Sequence, residues 1–245
     1  MALTYFISDV HLGLESKTNP AGEKAKLNRV LGFLDHVRVT GERLVIAGDL
    51  FDFWFEYRNV VPSEYYELYT KLKQLTSQGI PVQYLAGNHD FWIGDFFPRE
   101  LGVRIEKKPF ELHVAGRKFY IAHGDGLAKN DTGYLILRRV LRNPVSIVLF
   151  STIHPTIAFG IARMVSKTSR DYTGTKNYGE GDGMKEFAER MLTQGYDYVI
   201  MGHRHLPLVH TVEEGTYVNL GDWMAHNSYA VFDGKILRLE TWKTS

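Results

Sequence analysis

Aspartate, asparagine and histidine side chains recur along this chain in five short motifs, most of which contain glycine. All of their candidate ligand atoms are oxygens or imidazole nitrogens, which suit divalent ions such as Mn²⁺, Fe²⁺ or Zn²⁺. Seven ligands exceed the needs of one ion but serve two if one carboxylate bridges, and two ions can clamp the attacking and leaving oxygens of a phosphoryl displacement. The seven candidates are Asp9, His11, Asp49, Asn88, His123, His203 and His205.

Each motif taken alone has a structural alternative, because Gly, Asn and Asp favour tight turns. Five such motifs, each at the end of a predicted strand, favour the metal-site interpretation. Asp9 and His11 are two residues apart, as are His203 and His205. On extended backbone, residues two apart point the same way, so each pair is expected to face one cavity.

The elements that position these motifs alternate between strand and helix in the first part of the chain. Short apolar runs predict strands at Thr4–Ser8, Arg43–Ala47 and Val82–Ala86, each of which ends at a motif. Helical spacing of apolar residues predicts helices at Glu23–Val37 and Ser63–Gln78. Because ligand sites of open α/β sheets lie beyond the carboxyl ends of strands, the motifs should converge.

The second half of the chain is richer in strands. A hairpin is predicted at Glu111–Val114 and Lys118–Ala122, and it leads into His123. Residues 131–167 have helical character. Helices that cover a mixed sheet or a two-sheet sandwich are the expected architecture. The remaining predicted elements are a helix at Gly183–Thr193 and strands at Tyr198–Met201, Leu208–Val212, Thr216–Val218, Tyr229–Phe232 and Ile236–Glu240.

Composition narrows the class of protein. A chain of 245 residues with 44% hydrophobic content can form a self-sufficient core, so no obligatory protein partner is expected. The 29 basic and 28 acidic residues nearly balance, which argues against nucleic-acid binding through bulk charge. The absence of cysteine excludes disulfide scaffolds and thiolate metal sites. The N-terminal run lacks the features of a secretory signal, so a cytoplasmic location is expected.

In order and spacing, the five motifs resemble those of the calcineurin-like metallophosphoesterases. The resemblance implies a single α/β domain over residues 1–245, built as a four-layer α/β/β/α sandwich, and two divalent ions, expected to be Mn²⁺. The motifs that carry it are Asp9-Val10-His11, Gly48-Asp49-Leu50-Phe51-Asp52, Gly87-Asn88-His89-Asp90, His123-Gly124-Asp125 and Gly202-His203-Arg204-His205.

The same resemblance implies a role for each site residue. His89 would face the phosphoryl group, where it stabilises developing charge or protonates the leaving oxygen. Asp90 would either orient that imidazole or cap the turn. One ion would be held by Asp9, His11, Asp49 and His205, and the other by Asp49, Asn88, His123 and His203.

Within that superfamily the chain is most similar to the UDP-2,3-diacylglucosamine diphosphatases of lipid A biosynthesis. The similarity lies in Ile7-Ser8-Asp9-Val10-His11-Leu12-Gly13, in Asp49-Leu50-Phe51-Asp52-Phe53-Trp54 and in an insertion that starts after Asp125. It implies cleavage of a lipid-linked nucleotide sugar to UMP and 2,3-diacylglucosamine 1-phosphate, with a helical lid at about residues 127–180 that holds the acyl chains. The implied substrate contacts are Asn88, His89, Asp131, Tyr134, Ser169 and Lys176.

One departure leaves other functions open. The best-known diphosphatases carry arginine directly after the motif asparagine, where this chain has His89. The alternative function is a phosphoesterase of the same fold that acts on another small phosphomonoester or diester. A non-catalytic binding module on the same fold is a remote alternative, because every ligand position is filled.

The insertion contains an unusually apolar stretch. Asn143–Ala162 has no charged residue and is long enough to span a bilayer, but Pro155 near its middle favours two short helices. Apolar surface flanked by cations suits contact with an anionic membrane, which would make the protein peripheral on the cytoplasmic face of the inner membrane. The same surface could instead line a slot for the acyl chains of the substrate. The alternative is a helical hairpin packed on the core. The flanking cations are Arg138, Arg139, Arg142, Arg163, Lys167 and Arg170. Nearby aromatic residues are predicted core, with the floor of a uridine or acyl pocket as the alternative; they are Phe53, Trp54, Phe55, Phe91 and Trp92.

Overall fold

Two β-sheets and the helices on their outer faces form the protein, seen here in a computed structural model that describes residues 3–57, 60–127, 139–158, 160 and 183–243. The strands are β1 (Leu3–Ile7), β2 (Gly41–Ile46), β3 (Val82–Leu85), β4 (Arg104–Glu106), β5 (Phe110–Val114), β6 (Arg117–Ile121), β7 (Tyr198–Met201), β8 (Leu208–Val212), β9 (Gly215–Asn219), β10 (Ser228–Phe232) and β11 (Leu237–Thr241). The helices are α1 (Pro20–Thr40), α2 (Tyr66–Ser77), α3 (Pro144–Ser151) and α4 (Gly183–Thr193), with a 3₁₀ turn at Ser63–Tyr65 and a π-helical turn at Phe97–Leu101.

The strands that precede the motifs run parallel to one another in the centre of each sheet. The six-stranded sheet has the order β11-β10-β1-β2-β3-β4, in which β1 to β4 are parallel. The five-stranded sheet has the order β5-β6-β7-β9-β8, in which β6, β7 and β9 are parallel. Because parallel strands end at the same edge, the loops after β1, β2 and β3 lie side by side, and so do those after β6 and β7.

Alternation along the strands builds the layers. In β1, Tyr5 and Ile7 pack with residues of α1 and α2, while Phe6 packs between the two sheets. On the far side, Met184 and Ala188 of α4 pack against the second sheet. The order helices, sheet, sheet, helix confirms the predicted four-layer α/β/β/α sandwich.

Most predicted elements are present, with ends that differ by at most three residues, and the helix Gly183–Thr193 and the strands Tyr198–Met201 and Leu208–Val212 have the predicted bounds. Helix α1 begins at Pro20 rather than Glu23, because the Asn19 side chain accepts a hydrogen bond from the Gly22 amide and Pro20 suits a first helical turn. Strand β4 was not predicted. Its sequence, Arg-Ile-Glu, is a three-residue charged edge strand with no apolar run to mark it.

The predicted helical character of residues 131–167 can be compared over residues 139–158 and at residue 160. Helix α3 ends at Ser151 and helical backbone resumes at 155–158, so the chain breaks just before Pro155, as predicted. No helix in the ranges that the structure describes combines the length and apolar character needed to cross a bilayer. The boundaries of the insertion, at about 127–180, stay a prediction.

The packing between the sheets yields a stability prediction centred on Phe119. This side chain is fully buried, and its ring lies 5.6 Å from that of Phe6 and 5.1 Å from that of Phe232, both in the other sheet. We expect Phe119→Ala to lower the free energy of unfolding by about 3–5 kcal/mol, since it leaves a cavity between the sheets. Tyr66→Ala, at a side chain that is 72% exposed, should change it by less than about 0.5 kcal/mol.

Urea unfolding of the metal-free variants measures both changes. Equal losses in the two variants would mean that Phe119 does not join the sheets.

Candidate metal centre

The candidate ligands lie in loops at the carboxyl ends of five strands. The six-stranded sheet supplies those after β1, β2 and β3, and the five-stranded sheet supplies those after β6 and β7. The two sets of loops meet, as the contacts below describe, so the structure brings the five predicted motifs together. In chain order the residues so placed are Asp9, His11, Asp49, Asn88, His123, His203 and His205.

Left-handed backbone, rather than extended backbone, directs most of these side chains. A positive φ is uncommon for residues with a β-carbon and is tolerated where the surroundings enforce it. The expectation that the paired ligands share a direction because their backbone is extended is therefore wrong. Sharp turns at the strand ends redirect each side chain instead. The φ angles are 53° at Asp9, 49° at His11, 53° at Asp49, 68° at His203 and 57° at His205.

Two glycines allow the loops to approach one another closely. A Cβ atom at Gly87 would lie 2.1 Å from Oδ1 of Asp49, and one at Gly202 would lie 2.1 Å from Oδ2 of Asp9. Both distances are far inside van der Waals contact, so a side chain at either position would displace a candidate ligand. Packing of the site therefore requires these two motif glycines.

One group of candidate ligands surrounds the carboxylate of Asp9. Nε2 of His205 lies 3.2 Å from Oδ1 of Asp9 and 3.2 Å from Nε2 of His11. Among the described residues, none donates a hydrogen bond to the buried Oδ1 atom of Asp9. A divalent ion fits this group, because two imidazole nitrogens and one carboxylate oxygen can each direct a lone pair to the same point.

A second group surrounds the side-chain oxygen of Asn88, which lies 2.8 Å from Nε2 of His123 and 2.9 Å from Nδ1 of His203. Nδ1 of His123 is 2.9 Å from the Ala47 carbonyl oxygen. If it donates there, Nε2 of the neutral ring carries a lone pair. Oδ2 of Asp49 is only 3.2 Å from the same Nε2. The Asn88 oxygen, Nε2 of His123 and Oδ2 of Asp49 therefore converge, and these three electron-pair donors can bind one cation together.

Asp49 lies between the two groups. Its Oδ2 atom is 3.2 Å from Nε2 of His123 and 3.7 Å from Nε2 of His11. Its Oδ1 atom accepts a hydrogen bond of 2.9 Å from the backbone amide of His89. The carboxylate is almost fully buried and therefore held in this orientation. The Asp49 carboxylate therefore lies within 4 Å of an imidazole of each group.

The electrostatics of the site favour positive charge. Burial opposes ionisation of Asp9, but the imidazoles of His11 and His205 hold the pKa of this carboxyl well below its usual range. Burial also opposes protonation of His11, yet Asp52 and Asp9 raise its pKa to about 10. The negative charge of the clustered carboxylates thus stabilises the protonated form of the neighbouring imidazoles. The same charge attracts a divalent cation.

The His89 side chain is 15% exposed, more than the side chain of His11 and less than that of His205. Its Nδ1 atom is 2.9 Å from the carbonyl oxygen of Asp52, which fixes the ring. Oδ1 of Asp52 is 3.4 Å from Nδ1 of His11, the pairing of carboxylate with imidazole that is typical of metal ligands. Asp52 has no role in the sequence-based prediction, although its place three residues after Asp49 was an available signal.

Asp90 is fully buried beneath the turn that carries Asn88. Its carboxylate accepts hydrogen bonds from the Tyr84 hydroxyl and from the Gly87 amide, the latter at 2.7 Å. Burial and the nearby Asp49 raise its pKa to about 6. These contacts favour the alternative in which Asp90 caps the turn rather than orients the imidazole of His89.

The described part of the predicted insertion, residues 139–158, lies against the loops that carry the motifs, and we call it the apolar segment. Phe150 packs on Trp92 and Phe55, with ring centroids 4.8 and 4.9 Å apart. Nε1 of Trp92 donates to the Leu141 carbonyl oxygen at 3.0 Å. Of the five aromatic residues predicted as core, Trp54 and Phe55 are buried, while Phe53, Phe91 and Trp92 are half-buried.

Arg142 ties the start of the apolar segment to two motif loops. Its Nη2 atom lies 3.3 Å from the Gly87 carbonyl oxygen and 3.5 Å from Oδ2 of Asp125, and its guanidinium lies over the Phe91 ring. The apolar segment is therefore fixed to the loops after β3 and β6.

The opposite face of α3 is exposed. Val145, Val148 and Leu149 are 66%, 63% and 64% exposed, and their spacing places them on one stripe of the helix. The predicted substrate contacts Asp131, Tyr134, Ser169 and Lys176 lie outside the described residues, as do Arg138, Arg163, Lys167 and Arg170.

Comparison with known proteins shows the family of this chain. The sequence profile of the calcineurin-like phosphoesterases matches residues 3–207. A UDP-2,3-diacylglucosamine hydrolase of Porphyromonas gingivalis is 32% identical over 255 residues, covering 97% of this chain and 96% of that protein. A protein of the same name from Yersinia pseudotuberculosis is 30% identical over 230 residues, 92% of each chain. The chain belongs to the calcineurin-like phosphoesterases and is a metal-dependent hydrolase.

Proposed function

We propose that the enzyme hydrolyses the pyrophosphate of UDP-2,3-diacylglucosamine to UMP and 2,3-diacylglucosamine 1-phosphate, a step of lipid A biosynthesis. The observation that carries this proposal is the attachment of the apolar segment, which has no charged residue after Arg142, to the loops of a phosphoesterase site. Such an arrangement suits a substrate with a pyrophosphate at one end and fatty acyl chains at the other. The names of the relatives support the same substrate.

Two divalent ions complete the proposed site, and manganese is the ion that we assign to it. Asp9, His11 and His205 would hold one ion, Asn88, His123 and His203 the other, and Asp49 both. When bound, such ions neutralise charge on the phosphoryl oxygens and supply hydroxide near neutral pH. The buried imidazoles and carboxylates of the chain would fix the positions of the two ions and keep bulk water away from them.

His89 would act on the phosphoryl group. The Asp52 carbonyl holds its Nδ1 atom, so we assign Nε2 to the substrate. Burial lowers the pKa of His89 below its usual value. An anionic phosphate beside the ring would favour the protonated form, which can stabilise the developing charge or donate a proton to the leaving oxygen.

The remaining substrate contacts rest on resemblance. Asp131 and Tyr134 precede the apolar segment in the chain, while Ser169 and Lys176 follow it. We assign all four to the substrate, together with Asn88 and His89.

The apolar segment gives the enzyme a proposed membrane-facing surface. Val145, Val148 and Leu149 form an exposed apolar stripe, the kind of surface that enters the boundary between headgroups and acyl chains. We assign the protein to the cytoplasmic face of the inner membrane as a peripheral protein, where an acylated substrate would be within reach.

A panel of substrates tests the proposed reaction. With Mn²⁺, kcat/KM for UDP-2,3-diacylglucosamine should exceed that for bis-p-nitrophenyl phosphate and for p-nitrophenyl phosphate by at least about 100-fold, because only the acylated substrate uses remote binding energy. Release of UMP measures the first rate and release of nitrophenolate the others. Fastest turnover of a soluble ester would favour the alternative phosphoesterase, and no hydrolysis of any would favour a binding module.

Removal of the His89 imidazole tests its assigned role. His89→Ala should retain both ions and lose turnover by about 10²–10⁴-fold, the usual contribution of a general acid. Metal analysis and UMP release measure the two quantities. Asp49→Ala is the contrasting variant: it removes the carboxylate between the two groups and should lose both bound metal and hydrolysis. An unchanged rate in His89→Ala on the preferred substrate would refute the role.

The proposed membrane surface is tested by replacing the exposed stripe of α3. Val145→Ser, Val148→Ser and Leu149→Ser together should greatly reduce co-sedimentation with phosphatidylglycerol vesicles, because they remove apolar area from the interface. Hydrolysis of the soluble bis-p-nitrophenyl phosphate should be unchanged. Val209→Ser, at a 50% exposed valine of β8, is the matched control. Equal sedimentation of wild type, triple variant and control would contradict the assignment.

A further inference from the structure

A buried lysine lies directly behind the first group of candidate ligands. Lys26 of α1 is only 5% exposed, although lysine is almost never fully buried unless it is paired. Its Nζ atom donates a hydrogen bond of 2.6 Å to the backbone carbonyl oxygen of His11 and lies 3.3 Å from Oε2 of Glu23. This cation is therefore held against the backbone of a candidate ligand.

The same turn of α1 holds the loop that follows His11. Oε1 of Glu23 accepts a hydrogen bond of 2.7 Å from the Gly13 amide, and its Oε2 accepts one of 3.0 Å from the Glu15 amide. Glu23 and Lys26 together thus bind three backbone groups of this loop, at alternate residues from His11 to Glu15. Their spacing of three residues places them on one face of the helix, and their ion pair links the two contacts.

His11 needs such support because its backbone is left-handed, with φ of 49°. A non-glycine residue keeps this conformation only where its surroundings over-determine it. The conformation turns the imidazole toward Asp9 and Asp49, with Nε2 3.8 Å from Oδ1 of the former and 3.7 Å from Oδ2 of the latter. Loss of the Lys26 bond would let the loop relax and move the ring.

We propose that Lys26 is a positioning residue for one of the two ions. It fixes the carbonyl of His11 from the buried side, and so fixes the imidazole against Asp9 and His205, without touching ion or substrate itself. The proposal rests on the two-ion part of the proposed function and is independent of the substrate. Partners that orient a metal ligand from outside typically change metal affinity about 10–100-fold when removed.

The test is a Mn²⁺ titration of the metal-free protein, with free Mn²⁺ followed by electron paramagnetic resonance. Lys26→Met keeps the length of the side chain but removes its charge and its donor. We expect it to weaken binding of one ion by about 10–100-fold and to leave the other unchanged. Binding of both ions as tightly as in the wild type would overturn the proposal.

Lys71→Met is the control for a purely structural role. Lys71 of α2 lies 2.6 Å from Oδ1 of Asp35 in α1, so this variant also removes an ion pair of α1 but lies away from the His11 loop. It should leave both Mn²⁺ affinities unchanged even where urea unfolding shows a loss of stability. An equal loss of Mn²⁺ affinity in the two variants would overturn the proposal.

The same Mn²⁺ titration also decides the proposal if Lys26→Met does not fold or if the wild type binds a single ion. If Lys26→Met does not fold, Lys26→Gln is the second variant: it removes the charge, and its amide ends one bond short of the Nζ position, so it should lose the hydrogen bond to the His11 carbonyl oxygen and show the same one-ion loss. Unchanged affinities in it, or failure of both variants to fold, would overturn the positioning role. If the wild type binds one ion only, the two-ion proposal fails, and the role of Lys26 depends on whether that affinity falls in Lys26→Met and not in Lys71→Met.

Discussion

Negative charge gathered in a buried space is the constraint on which the rest of this structure depends. Asp9 and Asp49 are almost completely excluded from water, and several imidazoles converge on their oxygens. Carboxylates so placed cost free energy unless positive charge accompanies them. Protons on His11 and His123, whose pKa values the carboxylates raise against the effect of burial, supply it in the metal-free protein. A divalent ion supplies the same charge, which links the affinity of the site for metal to its protonation.

The site also couples the two sheets. Asp9, Asp49 and Asn88 come from loops of one sheet, while His123 and His203 come from loops of the other. Distances near 3 Å between these side chains therefore depend on how the sheets are spaced and turned. The rings of Phe6, Phe119 and Phe232 fill that space, so packing between the sheets and ligand geometry are set by the same core. Left-handed turns and motif glycines then complete the approach over the last few ångströms.

The sequence was sufficient to predict the strands, the layered fold and the convergence of the motifs, because apolar runs, motif order and strand-end loops are local signals. It was insufficient where long-range contacts decide. The direction of Asp9 and His11 depends on left-handed backbone, which spacing alone does not reveal. The pairing of Asp52 with His11 and the hydrogen bond from the Trp223 amide to the Asp9 carbonyl join parts of the chain with no local mark of their partner. The charged strand β4 was missed for lack of an apolar run.

Arg142 changes the expected balance of forces at the apolar segment. The sequence places it among cations that would attract an anionic membrane, but its guanidinium contacts Gly87, Asp125 and Phe91. A cation paired with a carboxylate contributes less long-range attraction, since the two opposite charges largely cancel at distances much greater than their 3.5 Å separation. Of the flanking arginines, Arg139 is exposed, while the apolar stripe of α3 is exposed along its length. Within the described segment, apolar contact should therefore dominate over charge in any attachment to lipid. Arg142 serves instead to hold that surface in register with the phosphoester site.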